Sequence, residues 1–206
     1  MMKAVASTRS MVLFLPPDRR ANQLIPAYCR SASLRKLRKL CDEKGILLIF
    51  DEIQTGIGRT GKMFAYEHYG IEPDIMTLAK GIGGGFPLSA MLTKEKYNIF
   101  DAGDQGGTYT GQPLAMAVGL AVINEVIGKN LPERAEIMGD YIKEQLGELM
   151  QQYPIKNIRG SGLLIAFDLP EPTGKAFVAA CLAEGLILNS PQPSSIRLMP
   201  PLIVTI

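Results

Sequence analysis

The spacing of apolar and polar positions changes several times along this chain, and each change marks an element. From Ser33 to Lys44, SLRKLRKLCDEK sets Leu34, Leu37, Leu40 and Cys41 on one helical face, and Gly45 supplies the stop. ILLIF (46–50) follows as an unbroken apolar run, the pattern of a strand buried on both faces. A helix feeding such a strand predicts a mostly parallel α/β sheet. A second run, IMTLA (75–79), opens after Pro73-Asp74, and LSAML (88–92) predicts a third strand. Between the first two runs lie a loop, DEIQTGIGRTGK, and a short aromatic helix, MFAYEHYG. PLAMAVGLAVINEVI (113–127) predicts a long apolar helix with small residues on one face, and Leu131 to Tyr153 an amphipathic helix ended by Pro154. A strand near 162–168, a helix near 173–184 and short strands near 186–189 and 196–199 then form a smaller α+β pattern. The division falls near residue 125, giving regions 1–32, 33–125 and 126–206; the first shows no sustained period.

Composition is that of an ordinary globular chain: 206 residues, 47% hydrophobic and 20% charged, with a net charge of +2 that points to no nucleic acid partner. The charge is uneven, +8 over residues 1–40 and −6 over the rest. The start, MMKAVASTRS, is Arg- and Ser-bearing and acid-poor, as transit peptides are, but region 1–32 reads as an atypical, poorly ordered basic leader. MVLFL (11–15) is short for a secretory signal core and is closed by Pro16-Pro17, and no apolar run is long enough to span a bilayer. Cys29, Cys41 and Cys181 are scattered, which argues against a disulfide framework or a cysteine metal site and fits a cytoplasmic location. The single histidine, His68, excludes a poly-histidine metal site and reads as a half-buried packing residue among aromatics.

Three motifs carry chemistry. Gly56, Gly58 and Gly61 spell G-x-G-x-x-G, but DEIQT separates them from the strand and the helix that follows is short and aromatic, so the dinucleotide fingerprint is rejected. Asp51 and Lys80 each end a buried apolar run. Taken singly they read as a turn cap and a solvent-seeking lysine. On neighbouring strands they would share one edge of the sheet, where ligands of open α/β folds gather. A lysine in a partly dry pocket is a usable amine nucleophile, and its known pairing with a carboxylate on a pyridinium nitrogen is with pyridoxal phosphate. Finally, GGGF (83–86) and GGTYTG (106–111) can offer backbone N–H groups and hydroxyls to a phosphate, the second leading into the N-terminus of the long helix.

The stretches LLIFDEIQTGIGRTGKMFAYEHYGIEPDIMTLAKGIGGGFPLSA (47–90), GGTYTGQPLAMAVGLAV (106–122), RGSGLLIAFDL (159–169) and IRLMPPLIV (196–204) resemble class III (omega) pyridoxal-phosphate-dependent aminotransferases of the acetylornithine and ornithine type. The resemblance covers roughly residues 33–204 and implies a fold type I transferase: a partial large domain, mostly parallel sheet with helices, and a small C-terminal α+β domain. It implies that Lys80 holds pyridoxal 5'-phosphate, that Asp51 bears on the pyridine nitrogen, that Ile53 packs on the ring and that Gln54 lies near the phenolic oxygen. Thr108 is implied to reach a phosphate across a homodimer interface, and Arg197 to grip the substrate carboxylate. The implied reaction moves an amino group from an ω-amine or amino acid such as N-acetylornithine to 2-oxoglutarate, a step of arginine biosynthesis. The family chain is roughly twice this length, so the sequence corresponds to a C-terminal half. Its place before the helix at 33 holds LFLPPDRRANQLIPAYCRS, unlike the family's glutamate-bearing stretch. The alternative expectation is therefore a truncated, inactive remnant, or a half-chain that needs a complementary N-terminal half.

Overall fold

The computed structural model describes the backbone of Ser10–Phe14 and residues 31–206, with side chains from Leu34 onward. Two four-stranded sheets organise them. The first is built from β1 (Ser10–Phe14), β2 (Leu47–Asp51), β3 (Ile75–Leu78) and β4 (Ala90–Thr93), hydrogen-bonded in that order. β1, β2 and β3 run parallel and β4 antiparallel. The expected parallel α/β sheet is thus present, with the third expected strand reversed. β1 falls within the region read as a leader: its apolar run, too short and too uniform to show a period, pairs along its whole length with β2. The remainder of region 1–32, except the start of the first helix, lies outside the described residues.

Helix α1 (Ser31–Lys44) packs Leu34 and Cys41, both fully buried, against Leu48 and Phe50 of β2 and against Ala65 and Ile71. Leu40, expected on the same face, is 43% exposed. Arg38 ties the helix to the sheet through Asp74, at 2.8 Å, and Asp74 also accepts the Leu48 N–H at 2.9 Å. Leu48 and Phe50 on β2 and Met76 and Leu78 on β3 share the buried face. Leu47, Ile49, Asp51, Ile75 and Thr77 alternate onto the other face and stay half-exposed, because none of the described elements covers them. The expectation of burial on both faces therefore holds for one face only.

The long apolar helix is α2 (Pro113–Gly128), entered by Pro113 in its first turn, where the missing N–H costs nothing. Its small-residue face buries Ala115, Gly119 and Val126. Gly119 and Gly84 let the helix and the glycine-rich loop meet: a Cβ on either would lie 2.7 Å from Leu88 or Val122. That loop spends its glycines on close packing.

Helix α3 (Leu131–Gln152) lies on the second sheet, made of β5 (Lys156–Ser161), β6 (Leu164–Asp168), β8 (Ser195–Leu198) and β7 (Asn189–Gln192), all pairs antiparallel; α4 (Gly174–Ala183) completes this part. One strand was expected near 162–168. β6 is that strand; the turn at Gly162 joins it to β5, which was not expected, and β7 lies three residues beyond its expected start. The hydrophobic core here joins Leu146, Ile165, Phe167, Leu169 and Ile196.

Candidate active site

β2 and β3 are adjacent and parallel, so their carboxyl ends open on the same side. Asp51 ends β2 and pairs with Thr77, three residues before Lys80. Asp51 Oδ1 accepts the N–H of Ile53 at 3.0 Å, a turn that re-aims the chain; Oδ2 takes no hydrogen bond among the described residues. Lys80 follows β3 with φ +49°, a left-handed conformation that costs a side-chain-bearing residue about 1–2 kcal/mol. Such strain persists where the surroundings impose it and clusters at functional sites. Here Ile57, itself at φ +55°, sits 3.4 Å from the Cβ position of Gly81, and the 3-10 turn Lys80–Gly83 buries Ile82. Lys80 is exposed rather than held in a partly dry pocket, and it lines an open cleft of about 680 Å³ walled by Ile57, Val122, Val126, Leu131 and Leu202.

The other expected site residues divide. Ile53 and Gln54 follow Asp51 directly and are half-buried. The Gln54 amide donates to Met199 Sδ at 3.2 Å, which brings the exit of β8 against this loop. Arg197 lies on β8, paired with Ala166, with Ile196 beside it in the core; alternation turns Arg197 to the opposite face, the side of Met199. Its guanidinium has no carboxylate partner and no side-chain hydrogen bond among the described residues. Thr108 stands apart in the exposed loop at 101–112, with no side-chain hydrogen bond among the described residues. Asp51, Ile53, Gln54, Thr108 and Arg197 do not line the cleft that Lys80 lines.

Sequence reasoning missed two residues. Glu52 alternates to the face opposite Asp51 and is 1% exposed. Its carboxylate accepts the Thr55 hydroxyl and the Tyr66 N–H, the latter at 2.9 Å. Burial raises its pKa, and these hydrogen bonds only partly oppose it. Arg59 reaches across to the second sheet, Nη1 donating to the carbonyls of Pro200 at 2.5 Å and Leu163 at 3.3 Å; burial lowers its pKa. The available signal was a cation in a glycine-rich loop with no acid nearby. His68, expected as a half-buried packing residue, is exposed, with Nε2 3.0 Å from the Thr60 carbonyl. The G-x-G-x-x-G motif forms stacked turns, Gly56 N–H to Glu52 O at 2.9 Å and Gly61 N–H to Gly58 O at 3.1 Å, with only a five-residue 3-10 turn beyond. It lacks the long helix whose N-terminus a dinucleotide needs. Among the described residues there is no group of three metal-ligating side chains, and no single helix is long and apolar enough to cross a membrane.

Comparison with known proteins bears on the family and the fold. Residues 27–206 match the family model "Aminotransferase class-III". The acetylornithine aminotransferase of Caldanaerobacter subterraneus is 47% identical over 173 residues, 84% of this chain and 44% of that protein. Acetylornithine aminotransferase 2 of Bordetella pertussis is 43% identical over 207 residues, 99% of this chain and 52% of that protein, so that alignment extends through most of region 1–32. Among solved structures, the acetylornithine aminotransferase of Elizabethkingia anophelis superposes with a TM-score of 0.81 at 36% identity, covering 85% of this chain and 48% of that one. The chain spans about half the length of these relatives. The family match, the identities and the superposition assign it: the chain belongs to the class III aminotransferases, a family of pyridoxal-phosphate-dependent enzymes.

Proposed function

We propose that this chain carries the cofactor lysine and the substrate arginine of a transaminase that moves an amino group from N-acetylornithine, or a related ω-amine or amino acid, to 2-oxoglutarate. The observation that carries the reading is Lys80, held in a left-handed turn at the mouth of an apolar cleft, one strand from Asp51. By their chemistry the residues suit the cofactor: an accessible amine and, among the described residues, a carboxylate oxygen without a hydrogen bond and, on the second sheet, a guanidinium without a carboxylate partner.

When bound, pyridoxal phosphate supplies a ring that accepts electrons from the substrate carbon. Lys80 Nζ would hold the cofactor, and as a free amine it would move a proton at the substrate carbon. Asp51 would keep a proton on the ring nitrogen, with its Oδ1 held by the Ile53 N–H. Ile53 would pack on the ring, and Gln54 would lie near its phenolic oxygen. Arg197 takes the substrate carboxylate in a two-point grip that a lysine cannot copy.

Thr108 is assigned to a phosphate in the opposite subunit of a homodimer. Its loop is exposed, and Leu114, Met116 and Leu120 on the outer face of α2 are 58%, 46% and 61% exposed, an apolar surface that suits burial against a second copy. The division at residue 125 separates the cofactor part from the arginine part, and the setting proposed is arginine biosynthesis in the cytoplasm. A second reading, a half-chain that needs a complementary N-terminal half, is favoured by the half-exposed face of β2 and β3 that bears Asp51.

The test is uptake of pyridoxal phosphate, followed by visible absorbance, and formation of glutamate from N-acetylornithine and 2-oxoglutarate. The chain should turn yellow, alone or co-expressed with the N-terminal half of a relative. Lys80→Ala should abolish the colour, and Asp51→Ala should weaken uptake about tenfold or more, the equivalent of one lost charged hydrogen bond. A colourless wild type in both formats refutes the proposal.

A further inference from the structure

One side chain without a role in the reaction holds a position that stability alone does not explain. Arg59 sits inside the glycine motif that no nucleotide fingerprint accounts for. Among the described residues its guanidinium faces no carboxylate. Among the described residues it donates only to two main-chain carbonyls, Leu163 O in the turn between β5 and β6 and Pro200 O beyond β8, and it borders the cleft that Lys80 lines. A half-buried cation is costly to desolvate, and a fold that needed only to cap two carbonyls could use a neutral amide. What a guanidinium adds is a planar group of fixed shape and full reach, whose one nitrogen Nη1 meets both carbonyls.

The surroundings show what that group ties together. The Leu163 N–H donates back to Arg59 O at 3.0 Å, and Ser161 Oγ donates to Thr60 O at 2.8 Å. Gly162 passes so close that a Cβ there would lie 2.5 Å from the carbonyl carbon of Thr60. On the other side, Gln54 holds Met199 and Arg59 holds Pro200, the second and third residues after Arg197. Leu202 then packs into the cluster of Ile57, Ile82 and Val126. The segment leaving β8 is thus stitched to the loop leaving β2. Both chemical ends of the reaction hang from this joint: Lys80 through its neighbour Gly81, whose Cβ position lies 3.4 Å from Ile57, and Arg197 through the strand that Pro200 extends.

We propose that Arg59 is a positioning residue, a clamp whose two carbonyl contacts set the distance between the Lys80 cleft and the substrate-binding face of Arg197. The inference rests on the function proposed above, and it predicts a division of effects. Loss of the clamp leaves capture of pyridoxal phosphate by Lys80 intact but loosens the facing sheet, so a dicarboxylate is gripped less well.

The experiment uses the full chain as wild type, Arg59→Ala and Arg59→Lys. Amide hydrogen exchange is followed at Leu163 and Val204 and, as a control, across β2 and β3; 2-oxoglutarate binding to the cofactor-loaded protein is measured by calorimetry. In Arg59→Ala, exchange at Leu163 and Val204 should rise at least tenfold, while β2 and β3 and the amount of cofactor bound stay unchanged. Affinity for 2-oxoglutarate should fall about tenfold. Arg59→Lys keeps the charge and the aliphatic stem, guards against simple unfolding, and should show the same local loosening, because its side chain ends one bond short of the point where Nη1 meets the two carbonyls. Unchanged exchange at Leu163 and Val204 in both variants, wild-type behaviour of Arg59→Lys, or an equal loss of protection over the whole chain overturns the clamp. Failure of the wild type to take up cofactor strikes the proposed function instead, and the exchange measurement still decides the joint.

Discussion

Replacing Glu52 separates two roles that a buried carboxylate can have. Its side chain is enclosed, and it is the acceptor for the Thr55 hydroxyl and the Tyr66 N–H. Glu52→Ala strands both donors, at about 1–3 kcal/mol each, and leaves a void, so unfolding should become about 3–5 kcal/mol easier. Glu52→Gln keeps an acceptor for Tyr66, and its amide can donate to the Thr55 oxygen, so it should stay within about 1 kcal/mol of the wild type at neutral pH. The pH dependence carries the argument further. Burial raises the pKa of Glu52 in the folded state above the unfolded value of about 4.3. Its contribution to stability is therefore complete below that value and is lost as pH rises through the folded pKa. Gln is neutral throughout, so the stability of Glu52→Gln relative to wild type should climb from acid to neutral pH. Urea unfolding of the three proteins between about pH 4 and 8 measures this, and taking differences from wild type removes the other titrating groups. A difference that is flat or falls with pH, or a Glu52→Gln as damaging as Glu52→Ala, refutes the reasoning.

Asp74 has the opposite sign. Burial pushes its pKa up, but the Leu48 N–H and the Arg38 guanidinium outweigh burial and hold it below the usual carboxylate value. Asp74→Asn should cost about 3 kcal/mol at neutral pH, and the cost should shrink as pH falls below about 4, where the wild type loses the same charge; urea titration at the two pH values checks it. Gly162→Ala should cost about 2–4 kcal/mol, read as a lowered urea midpoint, because the left-handed φ of +52° and the backbone of Thr60 and Gly61 both oppose a Cβ. A midpoint equal to wild type would mean that the close approach between loop and second sheet is not real.

What the sequence made legible, and what it hid, follows from how each part is buried. Leu34 and Cys41 announce α1, and the apolar runs announce β2 and β3, because those elements exclude water by apolarity alone. β5 was missed because it excludes water by pairing: KNIRGS contains almost no apolar residue, yet Arg159 within it is 6% exposed, bound to Asp168 at 2.8 Å and to Ser195. The direction of β4 is set by which strand it can reach, and its residues are silent on that. Asp51 and Lys80 stood out because a charge ending a buried run is rare. Glu52 did not, since only alternation about a strand end, invisible before the strand is known, turns it inward. Arg59 was absorbed into a glycine motif whose partners lie more than a hundred residues away.

The central claim is that Lys80 is the amine that holds the cofactor. Borohydride reduction of the pyridoxal-phosphate-loaded chain, followed by digestion and mass-spectrometric sequencing, tests it most directly. The account predicts one phosphopyridoxyl group per chain, on the peptide that contains Lys80. Label spread over several surface lysines, or concentrated on a residue other than Lys80, would contradict it.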